Sequence, residues 1–204
     1  MTAPDPTLLK GPGLLYVQSR IARTDVLDEA TFFKWYDEDH IDEIIQTSGI
    51  KSAFRYCDTD YETRNARKEK SLLAIYPLDD LSFLLSDEFR GIRVKSDMLP
   101  ETGIVYDLAE FDVRYLGLVH KTERKKKAES MKCLVIFGVE PGPGTSEQEV
   151  EDWFRREVSI SLHGTKCSSL MSCSTSQPLR QCQDTFVALS STSSMLEQML
   201  NQEH

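Results

Sequence analysis

The sequence predicts an α+β protein made of two diverged copies of one βαββαβ unit, the second copy shorter than the first. Three observations carry that reading. Apolar residues alternate with period two in some stretches and recur at helical spacing in others, in the order strand, helix, strand, strand, helix, strand. After a basic run the same pattern restarts, with matching residues at nearly constant offset. The composition, 40% hydrophobic and 28% charged over 204 residues, is that of a chain able to bury a core.

Gly13 to Ile21 has the β-branched, aromatic and alternating character of a first strand. Asp28 offers an N-cap to a helix running to about Thr47, where Ser48-Gly49 supplies the stop. Ile50 to Tyr56 alternates again and reads as the second strand. A polar stretch, Asp58 to Lys70, leads to a third strand at Ser71–Tyr76, which Pro77 ends. Asp79 and Asp80 open a second amphipathic helix through Leu81, Phe83, Leu84 and Leu85, with a looser segment to Met98 and a stop at Pro100. Ile104 to Val119 is long enough for a strand with a bend, and alternation sets Phe111, Val113 and Tyr115 on one face.

The first unit thus spans residues 1–120, a basic linker 121–130, and the second unit 131–204. Lys132 to Phe137 restarts the strand pattern, and Pro141-Gly142-Pro143-Gly144 makes a turn. Ser146 and Glu149 then form a capping box on a helix that carries Trp153-Phe154 where the first carries Trp35-Tyr36. Gly164 before Lys166-Cys167-Ser168 echoes Gly49 before Lys51-Ser52. Phe186 to Leu189 echoes Leu72 to Ile75, and Met195-Leu196 with Met199-Leu200 gives a last helix. No final strand follows. Two sheets, each apolar on one face, would bury those faces against each other as an intramolecular pseudo-dimer, and the absent strand leaves an edge for the N-terminus or another chain to cover.

Lys and Arg number 24 against 33 Asp and Glu, a net charge of −9. Such a chain repels phosphate backbones and anionic headgroups, so neither nucleic acid nor membrane is the expected partner. Lys121, Arg124, Lys125, Lys126 and Lys127 form a local exception that reads as a solvated, extended linker. Five scattered cysteines and a start of Met-Thr-Ala-Pro-Asp-Pro without an apolar leader read as cytoplasmic, with reduced thiols. No run approaches the ~20 apolar residues of a membrane span. The cysteine spacing gives no zinc motif, and no phosphate loop, HExxH or GxSxG is present.

The first helix carries the chemistry-bearing residues. At helical periodicity Phe32, Phe33, Tyr36, His40 and Ile44 share one arc, with Asp37 at its margin, so His40 points inward. A neutral imidazole against aromatics suits a general base; a core histidine satisfied by one hydrogen bond is the competing reading. Tyr36, one turn earlier, either orients that ring or binds a substrate oxygen, or simply fills the core. His40 has no counterpart in the second copy, where Val158 stands opposite it.

Trp35-Tyr36-Asp37-Glu38-Asp39-His40-Ile41, followed by Gly49-Ile50-Lys51-Ser52-Ala53-Phe54-Arg55-Tyr56, resembles the EthD-like branch of the dimeric α/β-barrel superfamily. The likeness is good over Leu14 to Tyr56, fair to about Tyr115, and architectural from Met131 onward. It implies two ferredoxin-like units in tandem, closed into a barrel, with helices outside and a pocket between helix and sheet lined by the matching histidine. It also implies a setting in fungal natural-product pathways.

The expected function is a cofactor-independent, metal-free enzyme on a small hydrophobic oxygenated metabolite of polyketide, terpenoid or aromatic type. It would isomerise, cyclise or eliminate after removing a proton next to a carbonyl. His40 is its proton shuttle, Tyr36 its hydroxyl donor and Asp37 the nearby carboxylate. Phe33, Ile44, Tyr16, Phe54, Tyr56, Phe111 and Tyr115 are the candidate walls, with either sheet face open as the one that meets the helix. The alternative is a non-catalytic carrier or assembly module of the same fold, monomeric pseudo-dimer or homodimer; haem ligation by His40 is a third reading.

Overall fold

The computed structural model describes residues 9–123 without a break, and beyond them 133–134, 136, 142–153, 156, 171–172 and 185–190. The first strand, β1 (Gly13–Ile21), has the bounds the sequence predicts. Asp28 caps the first helix as expected, its carboxylate accepting from the Thr31 amide at 2.8 Å. That helix has three parts: α1 (Glu29–Trp35), a π turn (Tyr36–His40) and α2 (Ile41–Gln46). After it come β2 (Phe54–Asp58), α3 (Tyr61–Ala66) and β3 (Leu72–Leu78). A 3₁₀ turn (Leu81–Leu85), α4 (Asp87–Arg90), a second 3₁₀ turn (Val105–Asp107) and the long strand β4 (Ala109–Glu123) complete the continuously described part of the chain.

Its four strands form an antiparallel sheet in the order β2-β3-β1-β4. An α+β architecture with this order is compatible with a ferredoxin-like fold. β1 lies between β3 and β4, pairing Val17 with Ala74 on one side and with Val113 on the other.

The structure corrects several boundaries. β2 begins at Phe54 and not at Ile50, which makes an isolated bridge to Leu78. Pro77 lies inside β3, opposite Leu14, and does not end it. The continuous ladder with β2 has already stopped at Ile75, and near a strand end a missing N–H is tolerated. The polar stretch after β2 contains α3, and the expected second amphipathic helix is a 3₁₀ turn followed by a single α turn. The last strand starts five residues after Ile104 and runs to Glu123, three residues into the stretch read as linker. Its register against the neighbouring strand shifts between Leu118 and His120.

Gly49 owes its identity to packing, not to a left-handed helix stop. A Cβ there would stand 2.1 Å from the Phe83 ring, so glycine lets the 3₁₀ turn close over the end of α2.

In the second half, β5 (Cys133–Leu134), α5 (Glu147–Trp153), β6 (Met171–Ser172) and β7 (Thr185–Ser190) are described. The capping box is present: the Ser146 amide donates to Glu149 Oε2 at 2.8 Å, and the Glu149 amide to Ser146 Oγ at 3.3 Å. β6 pairs with β2, β5 with β6, and β7 with β4, extending both edges of the central sheet to seven strands. Gly164, Lys166 to Ser168, Val158 and the helix expected at Met195–Leu200 lie outside the described residues. Among the described residues, no helix is long and apolar enough to cross a membrane.

The registers separate the sheet's two faces. Leu15, Val17, Leu72, Ala74 and Tyr76 join Phe32, Trp35, Tyr36 and Ile44 in the larger core, beneath the helices. Tyr16, Tyr56, Leu73, Ile75 and Leu116 form a second cluster on the opposite face. Partly buried Leu14 and Phe54 pack against it.

Candidate functional site

The site grows from the π turn. On a regular α-helix, Trp35 and His40 would lie about 140° apart, because five residues advance about 500°. The wider turn brings them onto one side, where their rings stack at 4.8 Å with 18° between planes. His40 also meets Tyr36 edge to face at 5.4 Å, and Tyr36 meets Phe32 in the same way at 5.5 Å. The sequence reading put His40 inward by ordinary helical periodicity; the structure keeps it inward but sets it beside Trp35 through a turn no periodicity announces.

His40 is partly exposed as a residue, while its Nδ1 is buried and has no hydrogen-bond partner among the described residues. Burial is the largest influence on the ring and holds its pKa down to about 4, against the upward pull of Glu43, Asp39 and the Arg93 backbone. The ring is therefore neutral at pH 7. Arg93 brackets it, with its guanidinium 3.1 Å from Asp39 and 3.2 Å from Glu43, and its amide 3.2 Å from Glu43.

Tyr36 lies at the centre. It is 3% exposed, and its hydroxyl is 3.5 Å from that of Tyr76 on β3, the long limit for a hydrogen bond. Burial pushes the Tyr36 phenol up to about 12 and raises the Tyr76 phenol well above its ordinary value. Both are protonated donors at neutral pH.

Asp37 serves Arg55, not His40. Arg55 Nη2 donates to Asp37 Oδ2 at 2.7 Å, with both side chains largely buried. The guanidinium carbon lies 4.9 Å from the Phe33 centroid and 5.5 Å from that of Tyr36. Arg55 Nε is buried without a hydrogen-bond partner among the described residues. A small cleft opens here between helix and sheet, bordered by Ser19, Phe33, Tyr36, Arg55, Cys57 and Ala74, with space for about one water-sized group. His40 is not among its walls; the Tyr36 ring is in contact with both His40 and Arg55.

Compared with family models, with curated proteins and with solved structures, the chain gives no match. The site rests on its own geometry.

The predicted walls divide between the two faces of the sheet. Phe33, Ile44, Phe111 and Tyr115 belong to the helix-covered core, and Phe33 alone of these four borders the cleft. Tyr16 and Phe54 lie in the cluster on the far face, as does Tyr56, although it also borders the cleft. Burial raises the Tyr16 phenol, with Asp112 adding to the rise and Arg114 and Arg64 opposing it. Sequence reading missed Arg55, Tyr76 and Arg93. Arg55 had a signal: alternation places it with Ala53 and Cys57, so a charge occurs on an inward face and calls for the carboxylate at the helix margin. Tyr76 continues the inward series Leu72, Ala74. Nothing local marks Arg93. Among the described residues, no three His, Cys, Asp or Glu side chains converge as a metal-binding group.

Proposed function

We propose that the helix-covered face of the first unit binds a small hydrophobic oxygenated metabolite and moves a proton on it without a cofactor, His40 acting as acid–base group and Tyr36 as hydroxyl donor. The observation that carries this reading is the buried Nδ1 of a neutral histidine, without a hydrogen-bond partner among the described residues, in a ring that stacks on Trp35 and meets Tyr36 edge to face. A neutral imidazole has a free lone pair, and a phenol kept protonated by burial donates to an oxygen that gains charge. Isomerisation, cyclisation or elimination begun next to a carbonyl uses both. The likeness of the first helix and second strand to EthD-like proteins supports the same class.

The proposal extends to the whole chain as two ferredoxin-like units in tandem, closed into a barrel. Second-half strand residues at both edges of the central sheet and the repeated capped helix favour it. A carrier or assembly module of this fold is the second reading. What favours it is the cleft, which has room for little more than a water before anything moves.

The test incubates wild type and His40→Gln with a hydrophobic metabolite extract from the native source and compares bound and transformed species by mass spectrometry. A metabolite consumed by wild type and not by a folded His40→Gln supports the enzyme. Equal consumption by both removes His40 from the chemistry, and a metabolite retained unchanged by both supports the carrier.

A further inference from the structure

Arg55 is the most heavily constrained cation in the site. Its side chain is 12% exposed, one terminal nitrogen is committed to Asp37, and its plane is held near the Phe33 and Tyr36 rings. Its Nε–H is buried, and no acceptor among the described residues reaches it. A guanidinium offers five donors in a fixed fork, so fixing one arm on Asp37 fixes the direction of the others. The cleft that Arg55 borders takes a group the size of one oxygen, between aromatic walls.

The charge balance selects which oxygen. Asp37 already offsets the guanidinium, and the chain carries a net charge of −9. A carboxylate entering here would add a second anion next to Asp37 in a poorly solvated place, whereas a neutral carbonyl accepts from Nε–H without that repulsion. We propose that Arg55 is a ligand-binding residue whose Nε–H holds the carbonyl oxygen of a neutral hydrophobic ketone or aldehyde, the rest of the molecule lying outward against the partly exposed Phe33. The inference rests on the reading that this face binds a metabolite, but not on His40 being the base. It places the oxygen on the Arg55 side of Tyr36.

The experiment titrates uniformly ¹⁵N-labelled full-length protein with acetophenone, with benzoate and ethylbenzene as comparators, and follows the Arg55 Nε–H resonance. Arg55→Lys identifies that resonance by its loss; it also keeps a cation for Asp37 while removing the fork. Acetophenone should shift the Arg55 signal saturably, more tightly than benzoate, and ethylbenzene should leave it in place. Affinity for acetophenone, read from neighbouring amides, should fall roughly tenfold or more in Arg55→Lys. An unmoved Nε–H, equal affinity in Arg55→Lys, or tighter binding of benzoate overturns the proposal. Retention of the shift in His40→Gln is expected; if turnover fails while the shift persists, the proton-transfer reading falls and Arg55 binding stands.

Discussion

The two faces of the central sheet are both buried, yet they are built from different material. Under the helices, apolar residues are interleaved with Ser19, Arg55, Cys57 and Tyr76; of these, Arg55 reaches Asp37 and Tyr76 reaches Tyr36 of the helix. On the opposite face Leu73 is 2% exposed among Tyr16, Tyr56, Ile75 and Leu116. A face that buries donors needs acceptors placed for them, so its sequence is constrained by direction as well as by volume. A face of leucine, isoleucine and aromatic rings needs mainly to be filled. The comparison puts the Arg55–Asp37 and Tyr76–Tyr36 contacts on the helix side, which is where the proposed site lies.

The largest expected effect tests whether both faces are true cores. Trp35→Ala, on the helix side, should lose about 3–5 kcal/mol of unfolding free energy, and Leu73→Ala on the far face about 2–5 kcal/mol, both read by denaturant titration of the full-length protein. A loss of less than about 1 kcal/mol for Leu73→Ala would show that water reaches the far face, since truncation of an already solvated side chain leaves no buried cavity. The comparison would then be between one core and one surface.

A smaller effect separates the faces by pH. His40 titrates near 6.5 when unfolded and is held at about 4 when folded, chiefly by burial. Between those values the unfolded chain binds the proton that the folded chain refuses, so stability falls as pH falls. The contribution is fully present above about pH 6.5 and is lost progressively down to about pH 4, amounting to at most about 3 kcal/mol. His40→Gln should flatten the stability profile in that window. An unchanged slope would mean that solvent reaches the ring and that its neutrality at pH 7 owes nothing to the fold.

The same comparison explains what could be read in advance. Alternation along Gly13–Ile21 and the short apolar run Ser71–Tyr76 before Pro77 named two strands, and Asp28 and the Ser146–Glu149 box named two helix starts, because caps, runs and period two are local. Which face lies under the helix is settled by tertiary partners, such as Arg55 with Asp37 and Tyr76 with Tyr36, 18 and 40 residues apart, and alternation is symmetric in that choice. Tyr16, Phe54 and Tyr56 therefore entered one candidate set with Phe111 and Tyr115, although the sheet stands between the two groups. The π turn was hidden for a different reason. One residue of extra winding leaves the pattern on either side intact and changes only which rings meet, so Trp35 was read as a repeat marker and not as the neighbour of His40. Asp37 was read only for its place on the helix near His40; its contact with Arg55, eighteen residues away on β2, is a tertiary one that helical spacing does not carry.

The smallest effect concerns the only hydroxyl pair joining the helix to β3 among the described hydrogen bonds, Tyr36 and Tyr76 at 3.5 Å. At that length a hydrogen bond has lost much of its strength, so the two phenols are coupled weakly and each is held mostly by packing of its ring. In a double-mutant cycle of Tyr36→Phe, Tyr76→Phe and both together, the coupling energy should be under about 0.5 kcal/mol, because the single changes remove a bond that contributes little. A coupling above about 1.5 kcal/mol would mean that the hydroxyls close up in solution and that Tyr76, Tyr36 and Arg55 act as one polar unit. In that case the helix face is organised by its donors, and Phe33 and the cleft follow from them; with weak coupling the ring packing comes first, and the polar groups occupy the directions it leaves.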